Sequence, residues 1–249
     1  MDPIRRENEK NVGMLDMMIA FDTTGSMAQY IDAVRKDVAE LIPQLFKDNE
    51  DLRLGIVAFG DYCDMIDAHT FGDAYQCLPL TDNANDLIRF VVGSKDTSGG
   101  DWPEFYELVL RKIIDETPWR EGSTRSVLLI ADAVPHEIGY TYADHVVNNA
   151  VDWRQEARKA AQMHIKVDTV TITSEPWFRE LSEITNGISV PFKTVSKTVD
   201  LLKASVLARG SLKARLKFDS IAAMCSDMEM LDVFDAYKKE RDSYDDEFE

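Results

Sequence analysis

Residues 15–27, LDMMIAFDTTGSM, contain the pattern that decides the fold of this 249-residue chain. Residues 15–21 form a short and almost uninterrupted apolar run, typical of a buried strand, and Asp22 ends it. Apolar residues then recur at helical spacing, at Ile31, Val34, Val38, Leu41, Ile42 and Leu45. The segment therefore predicts a strand, a polar loop that opens on Asp22, and a helix.

The rest of the chain repeats this alternation of strand and helix patterns. Strands are predicted at 52–59, 127–131, 167–173 and 188–192, with a short edge strand within 69–80. Helices are predicted at 85–92, 103–114, 143–163, 176–184 and 198–208. This order is typical of an α/β fold with a doubly wound, mostly parallel central sheet and helices on both faces.

One domain is the economical interpretation of the chain as far as residue 208. We find no internal repeat and no low-complexity linker before about residue 210, so residues 12–208 are predicted to form that domain. Residues 209–249 form a C-terminal extension that is compatible with helix, or with a strand followed by an amphipathic helix. Its acidic end is predicted to be disordered. The methionines at 224, 228 and 230 are expected to pack in the core rather than to line a groove for a partner.

Oxygen-bearing side chains follow two of the predicted strands. Asp22, Thr24 and Ser26 alternate in the loop after the first strand and can turn three oxygens toward one point. Asp132 follows the buried strand at 127–131. Ligands of doubly wound sheets bind at the carboxyl ends of the strands, and an all-oxygen set suits a hard divalent cation. The pattern therefore predicts a metal site at this edge of the sheet.

These residues resemble a known family. Asp22-x-Thr24-x-Ser26, with Asp132 after a buried strand and a hydroxyl or acid in the loop between, is similar to the metal-ion-dependent adhesion site (MIDAS) of von Willebrand factor A domains. The resemblance covers roughly residues 12–208. The common form of the family has serine where this chain has Thr24, which keeps the hydroxyl oxygen. The resemblance implies a Rossmann-like fold and a bound Mg²⁺, with Ca²⁺ or Mn²⁺ as alternatives.

A third loop, TSGGDWPE at 97–104, is expected to complete this site. The family usually places a threonine after the paired glycines, whereas Asp101 stands there in this chain. Asp101 is therefore the first choice for the third ligand and Thr97 the second. The loop sequence GGDWPE, together with ADAVPH at 131–136, is similar to the A domains found beside atypical α-kinase domains. We recognise no kinase domain in these residues, so kinase activity is not carried over.

The chemistry of such a site favours the binding of a partner protein. Hydroxyls from Thr24 and Ser26 quench little of the charge of a divalent ion, which stays electrophilic and keeps one coordination position open. An Asp or Glu carboxylate of a partner protein can fill that position. The ion would lie near a helix N-terminus, where the dipole is unfavourable, so the side-chain oxygens must supply the binding energy. We therefore expect a metal-dependent protein–protein interaction module whose binding is lost on chelation.

Several of these residues also have simple structural explanations. Asp22 could cap the following helix or bond to its own turn. Asp101, with Pro103 and Glu104, resembles an N-cap followed by a capping-box glutamate. The four histidines, at 69, 136, 145 and 164, show no ligand spacing, and surface or structural roles are expected for them. Only His136 lies in a loop near the predicted site.

Two other classes of function remain as alternatives. One is a metal-free scaffold of the same fold that binds through its tail or its helices. The other is a phosphoryl hydrolase, because an aspartate at a strand end also opens the haloacid dehalogenase type of phosphatase. That type needs a second acid two residues later, where this chain has Thr24. The chain also lacks the glycine-rich phosphate-binding motifs GxxxxGK[ST] and GxGxxG. We therefore expect no enzymatic activity.

Composition limits the partners and the compartment. With 28 Lys and Arg against 45 Asp and Glu, the net charge of −17 argues against nucleic acid as a partner. No apolar run is long enough to predict a membrane span. Cys63, Cys77 and Cys225 form no CxxC pair and are expected to be free thiols in a reducing compartment. A cytoplasmic location and no membrane partner are therefore predicted.

Overall fold

The computed structural model describes residues 13–66, 73–148 and 150–245. Its strands in chain order are β1 (Met14–Asp22), β2 (Asp51–Phe59), β3 (Tyr75–Thr81), β4 (Thr124–Ala131), β5 (Thr141–Tyr142), β6 (His145–Val146), β7 (Ile165–Thr171) and β8 (Ser189–Pro191). Six of them form one sheet in the order β3-β2-β1-β4-β7-β8. Only the edge strand β3 pairs antiparallel; all other neighbours in the sheet are parallel. The predicted doubly wound, mostly parallel sheet is confirmed.

Helices cover both faces of this sheet. In chain order they are α1 (Ala28–Asp48), α2 (Tyr62–Ile66), α3 (Ala84–Gly93), α4 (Tyr106–Glu116), α5 (Trp153–Gln162), α6 (Pro176–Ile184), α7 (Thr198–Arg209), α8 (Leu212–Met224) and α9 (Met228–Asp245). One apolar layer packs beneath α1, α3, α7, α8 and α9, and the other packs beneath α4, α5 and α6. Successive side chains of β1 alternate between the two layers, as the pleat requires: Leu15, Met17 and Ile19 join the first, and Met18 and Ala20 the second.

Strand register brings three polar loops to one edge of the sheet. Asp22 pairs with Phe59 of β2, and Phe21 pairs with Ile130 of β4. The residues that follow β1, β2 and β4 therefore leave the sheet side by side at its carboxyl end. β1 lies between β2 and β4, where the strand order reverses, which is the place where folds of this class bind ligands.

The predicted helix at 143–163 is wrong in its first half. Residues 141–146 form the small hairpin β5–β6, and Ala143 and Asp144 in its turn have φ angles of 48° and 66°. A left-handed pair of this kind makes a tight hairpin turn and cannot continue a helix. The helix α5 begins only at Trp153, where the Asp152 side chain accepts a hydrogen bond from the Arg154 backbone N–H.

The helix predicted from residue 103 also begins later than expected. The Glu104 backbone N–H donates to the Val134 carbonyl at 2.9 Å, in a bridge that keeps this part of the chain extended. Helix α4 therefore starts at Tyr106, with Phe105 at the N-cap position and no side-chain cap. The capping-box interpretation of Asp101 and Glu104 is wrong.

The C-terminal extension is helical and packs on the sheet, with no strand among its described residues, 209–245. Phe218, Phe234 and Tyr237 lie in the same apolar layer as α1 and α7. Met230 is buried, as predicted, but Met224 and Met228 are 78% and 74% exposed, so core packing is wrong for those two. The acidic end expected to be disordered includes residues 246–249, which lie outside the described residues.

All three cysteines, Cys63, Cys77 and Cys225, are free thiols, as predicted. Among the described helices, none combines the length and the apolar character needed to cross a membrane.

Candidate metal site

Asp22 is held rigidly at the carboxyl end of β1. It is fully buried, and its Oδ1 accepts hydrogen bonds from the Thr24 backbone N–H at 2.8 Å and the Thr24 hydroxyl at 2.6 Å. Its Oδ2 accepts from the Tyr106 hydroxyl at 2.7 Å, across from α4. The bond to its own turn that the sequence left open is therefore present, but Asp22 caps no helix: the 3₁₀ turn Gly25–Met27 has Thr24 at its N-cap position.

Thr24 and Ser26 extend this set of oxygens to the surface. The two hydroxyl oxygens lie 3.4 Å apart, with Thr24 buried and Ser26 exposed. A line of oxygens therefore runs from the Asp22 carboxylate to the solvent. Three of the residues predicted for the site lie in contact, because the alternating spacing of the loop turns them to one side.

Asp132 lies close to this group, immediately after β4. It is buried, and its backbone carbonyl accepts a hydrogen bond from the Thr173 hydroxyl at 2.7 Å. Burial raises the pKa of Asp22, hydrogen bonds from Thr24 and Tyr106 oppose that rise, and the charge of Asp132 adds to it. The fold thus brings two carboxylates from separate strand ends near each other.

The two candidates for the third ligand lie in different surroundings. The backbone N–H of Thr97 donates to the Thr23 carbonyl at 3.0 Å, and the hydroxyls of the two residues also lie 3.0 Å apart. Thr97 is therefore buried against the Asp22 loop, although its hydroxyl bonds to Thr23 rather than to Thr24. Asp101 is exposed, accepts a hydrogen bond from the Tyr140 hydroxyl at 3.1 Å, and lies beside His136 and an aspartate that follows β2.

Glu104 is a candidate that sequence reasoning missed. It is only 4% exposed, and its Oε2 is buried without a hydrogen-bond partner among the described residues. A side chain at Gly99 would place its Cβ 2.9 Å from Glu104 Oε1 and 3.3 Å from a methyl carbon of Thr24, so Glu104 lies beside the Asp22 loop. The sequence does offer one signal for this residue: Glu104 stands immediately before two aromatic residues, Phe105 and Tyr106, and both are buried in the structure.

The charge around Glu104 is unbalanced. Burial raises the pKa of Glu104 well above its usual range, and the charges of Asp22, Asp61, Asp64 and Asp132 raise it further. Among the described residues, no Lys or Arg forms an ion pair with Asp22, Glu104 or Asp132. Several buried carboxylates without a positive partner are unfavourable unless something positive compensates them.

The donor set fits a divalent cation. Asp22, Thr24, Ser26 and Asp132 would hold it, with Glu104 as an additional acid, and all five offer oxygen. Such ligands suit Mg²⁺ and Ca²⁺, which prefer oxygen over nitrogen or sulfur, and they also suit Mn²⁺. Two observations agree with such an ion: Glu104 Oε2 has no hydrogen-bond partner, and within the described part of the chain these carboxylates form no ion pair with Lys or Arg.

The family model of the von Willebrand factor type A domain matches residues 16–204. The chain belongs to this family. The match covers β1 through most of α7, so it contains the Asp22 loop, the loop at 97–104 and the loop that carries Asp132.

Two relatives match about half of this chain at low identity. A protein of Acanthamoeba polyphaga mimivirus described as ariadne-like RING finger protein R811 is 25% identical over 126 residues, which are 51% of this chain and 12% of that protein. Alpha-protein kinase vwkA of Dictyostelium discoideum is 28% identical over 130 residues, 51% of this chain and 19% of the kinase. The chain thus spans less than a fifth of the length of either relative.

Solved structures of the same fold include proximal thread matrix protein 1 of the mussel byssus. Two of its structures match this von Willebrand factor type A domain with a TM-score of 0.56 and 14% identity, over 78% of this chain and 48% of theirs. One is described as having a zinc-occupied MIDAS motif. At this identity the likeness shows a shared fold.

Proposed function

We propose that this von Willebrand factor type A domain is a protein-interaction module that binds its partner through a divalent cation at the Asp22 loop. Asp22, Thr24, Ser26 and Asp132 hold the ion, and an Asp or Glu carboxylate of the partner completes its coordination. Asp101 and Thr97 remain the third-loop candidates from the sequence, and Glu104 joins them from the structure.

One observation carries the proposal: Asp22, Thr24 and Ser26 form a connected line of oxygens that starts on a buried carboxylate and ends at the surface. A cap or turn would need Asp22 alone. An ion bound along this line would have its outer side open at Ser26, where a carboxylate from another protein can reach it. The acidic character of the whole chain opposes an acidic ligand only weakly, because charges more than about 8 Å apart are largely screened at physiological salt.

Mg²⁺ is the ion we propose, with Ca²⁺ and Mn²⁺ as alternatives. The donors are carboxylates and neutral hydroxyls, and Mg²⁺ keeps several positions for water or an incoming ligand. The zinc described in the MIDAS motif of the mussel protein belongs to that protein, and it supports a divalent ion here without favouring Mg²⁺.

Calorimetry tests the metal site directly. Wild-type protein titrated with Mg²⁺ should give a saturable heat, and the Asp22→Ala variant should give none. Asp82→Ala is the matched control, because Asp82 is an exposed aspartate in the turn between β3 and α3; it should bind Mg²⁺ as the wild type does. Equal heats for the wild type and Asp22→Ala would remove the proposal.

A metal-free scaffold is the second candidate, and two observations favour it. Both oxygens of Asp22 already accept hydrogen bonds within the protein, so the loop can be stable without an ion. In addition, α8 and the start of α9 expose four large apolar residues, Leu212, Leu216, Met224 and Met228. Partner capture in Mg²⁺ and in excess chelator separates the two candidates: capture that survives chelation supports the scaffold.

We propose that the domain is not an enzyme. In a phosphatase that used Asp22 as nucleophile, a general acid would stand at position 24, but the Thr24 hydroxyl stands there and donates a hydrogen bond to Asp22. An aryl phosphate assay tests this, because a phosphatase would turn the substrate over and lose that turnover in Asp22→Asn. A cytoplasmic location is part of the same proposal, since the three free cysteines suit a reducing compartment.

A further inference from the structure

A second group of metal-ligating side chains lies beside the Asp22 loop, in the loops that follow β2 and β4 and in the loop at 97–104. Asp61, Asp101 and His136 each offer one ligand atom, and the three atoms lie within 4.8 Å of one another. Asp61 and His136 are buried and Asp101 is exposed, so the group is closed on one side and open to solvent on the other. The Asp22 loop contributes no atom to it.

The contacts of Asp61 and His136 leave two ligand atoms without a partner. Asp61 Oδ1 and His136 Nε2 lie 2.6 Å apart and share a hydrogen bond. Asp61 Oδ2 and His136 Nδ1 are buried and have no hydrogen-bond partner among the described residues. A purely structural Asp–His pair would leave both atoms unsatisfied, which is rare for buried polar atoms in proteins.

Neighbouring groups hold the three residues in position. The Asp61 backbone N–H donates to Asp64 Oδ2 at 2.9 Å, and the His136 backbone N–H donates to Glu107 Oε2 at 3.1 Å. The Tyr140 ring stacks on the His136 ring at 3.6 Å, and its hydroxyl donates to Asp101. These contacts come from separate loops and helices, and they fix an imidazole and two carboxylates at one point.

The charge at this point is not balanced by a basic side chain. Within the described part of the chain, neither Asp61 nor Asp101 forms an ion pair with a Lys or Arg, and His136 is the only basic partner of Asp61.

The loop that carries Asp101 packs closely against α2, since a Cβ at Gly100 would lie 2.9 Å from the sulfur of Cys63. A larger residue at position 100 would therefore require Cys63 or the loop to shift.

We propose that Asp61, Asp101 and His136 form a second cation site that binds a divalent transition metal through one imidazole nitrogen and two carboxylate oxygens. Ligand atoms bonded to one ion at about 2.1 Å lie about 3–4.2 Å apart. The Asp61 Oδ1–His136 Nε2 separation of 2.6 Å is shorter than this, and no separation in the group exceeds 4.8 Å, so shifts of less than about 1 Å bring the three atoms to ligand spacing. Nitrogen in the donor set favours transition metals over Mg²⁺ and Ca²⁺, unlike the all-oxygen set of the Asp22 loop.

Pulsed electron paramagnetic resonance with Mn²⁺ as the probe tests this site. An imidazole nitrogen bonded to Mn²⁺ produces ¹⁴N modulation of the electron spin echo, and oxygen ligands do not. Wild-type protein should show the modulation and His136→Gln should lose it. His145→Gln is the matched control, because His145 is exposed on the β5–β6 hairpin, and it should keep the modulation.

The Asp22→Asn variant separates this inference from the proposed function. It should lose the Mn²⁺ bound at the Asp22 loop and keep the ¹⁴N modulation, because Asp22 is not a member of the Asp61–Asp101–His136 group. If no Mn²⁺ binding depends on Asp22, the proposed function fails. The second site is then still tested by whether His136→Gln loses the ¹⁴N modulation.

Asp101→Asn keeps the test decisive if the buried His136 variant does not fold. Asp101 is exposed, so the variant should unfold at the wild-type denaturant concentration, yet it should need about tenfold more Mn²⁺ for half of the ¹⁴N signal. Asp82→Asn should need no more than the wild type. The proposal is overturned if folded wild-type protein saturated with Mn²⁺ shows no ¹⁴N modulation, or if His136→Gln or Asp101→Asn leaves the signal and its Mn²⁺ dependence unchanged.

Discussion

At the scale of the residue, Asp22 is oriented before any ion arrives. Three donors from Thr24 and Tyr106 fix both of its oxygens. The Tyr106 hydroxyl also accepts a hydrogen bond from the Ala133 backbone N–H at 3.2 Å, next to Asp132. One phenol thus connects the loop after β1 with the loop after β4, so the two carboxylates of the site depend on a residue that is not itself a ligand.

The variant Tyr106→Phe tests this connection. It leaves Asp22 Oδ2 without its donor and Ala133 N–H without its acceptor, so the free energy of unfolding should fall by about 2 kcal/mol in the absence of divalent ions. Saturating Mg²⁺ should reduce that loss, because the ion becomes a partner of Asp22. Urea unfolding with and without Mg²⁺ measures both quantities.

Tyr237→Phe is the matched control for this prediction. It also removes a phenol that donates to a buried carboxylate, that of Asp168 at 3.1 Å, but on the far side of the sheet. Its loss of stability should be the same with and without Mg²⁺. Equal Mg²⁺ dependence in both variants would contradict the role given to Tyr106.

Glu104 gives a second prediction at this scale. Glu104→Gln keeps the shape of the side chain and removes the negative charge that Glu104 can offer to an ion beside Asp22 and Asp132. The Mg²⁺ affinity should fall by about tenfold, or 1.4 kcal/mol, while the unfolding free energy without Mg²⁺ changes by less than about 1 kcal/mol. Calorimetry measures the Mg²⁺ affinity, and urea unfolding measures the free energy of unfolding. An unchanged Mg²⁺ affinity would show that Glu104 takes no part in the site.

The site residues differ in how far the sequence could predict them. Asp22, Thr24 and Ser26 lie in one loop at alternate positions, so their contact follows from local spacing. The loop at 97–104 is different, because its path depends on tertiary contacts with Thr23 and Val134. Without those contacts, neither the burial of Glu104 nor the displacement of Asp101 toward His136 can be read from the sequence.

At the scale of the element, too, some features follow from the local sequence and others depend on tertiary contacts. The strands β1, β2 and β4 contain apolar runs of the expected length, and a run buried on both faces has few other possible structures. The β5–β6 hairpin was missed because its turn uses Ala143 and Asp144, without the Asn-Gly or Asp-Gly pair that marks such turns. The late start of α4 was missed because a bridge to a distant loop sets it.

The other end of β1 supports the fold through an ion-pair cluster. Asp16 is fully buried and accepts hydrogen bonds from the Arg53 and Arg120 side chains and from the Arg120 backbone N–H, at 2.7–2.9 Å. Burial alone would raise the pKa of Asp16, but these bonds and the two positive charges outweigh it and hold the pKa below its usual value. The cluster joins β1, β2 and the chain before β4.

Asp16→Asn should therefore lower stability in a pH-dependent way. The folded pKa lies below the unfolded value of about 3.9, so the stabilisation is present above about pH 4 and is lost as the pH falls through the folded pKa. At pH 7 the variant should lose about 2–3 kcal/mol, allowing for the partial exposure of both arginines.

Urea unfolding from pH 7 down to pH 2.5 measures this difference. The gap between wild type and Asp16→Asn should shrink below pH 4, and Asp82→Asn should track the wild type throughout. A gap that stays constant across the range would contradict the account of Asp16.

At the scale of the whole molecule, the C-terminal helices α8 and α9 pack in the same apolar layer as α1 and α7, on one face of the sheet. Arg209 at the end of α7 is buried and bonds to Asp168 of β7 and to Glu240 of α9. Tyr237 of α9 donates to the same aspartate. The boundary at residue 208 stays a prediction, but the buried charges and the apolar layer both continue across it.

Arg209→Met tests whether the chain unfolds as one unit. It leaves Asp168 buried without its charge partner, so the unfolding free energy should fall by about 3–5 kcal/mol. Unfolding followed by tryptophan fluorescence and by far-ultraviolet circular dichroism should still give one coincident transition. An early transition of helix alone would show that the C-terminal helices form a separate unit.

The two ends of the molecule thus have different roles. The amino ends of the strands carry the Asp16 cluster, whose charges are paired. The carboxyl ends carry Asp22, Glu104 and Asp132, which have no Lys or Arg ion partner among the described residues. This asymmetry is the physical basis for placing cations, and a partner, at the carboxyl edge of the sheet.

A crystal structure of the protein grown in Mg²⁺ tests the central claim most directly. We predict density for one ion between Asp22, Ser26 and Asp132, with oxygen distances near 2.1 Å for Mg²⁺, or near 2.4 Å if Ca²⁺ is supplied instead. Well-ordered loops with these side chains pointing apart, and no ion between them at saturating Mg²⁺, would contradict the account.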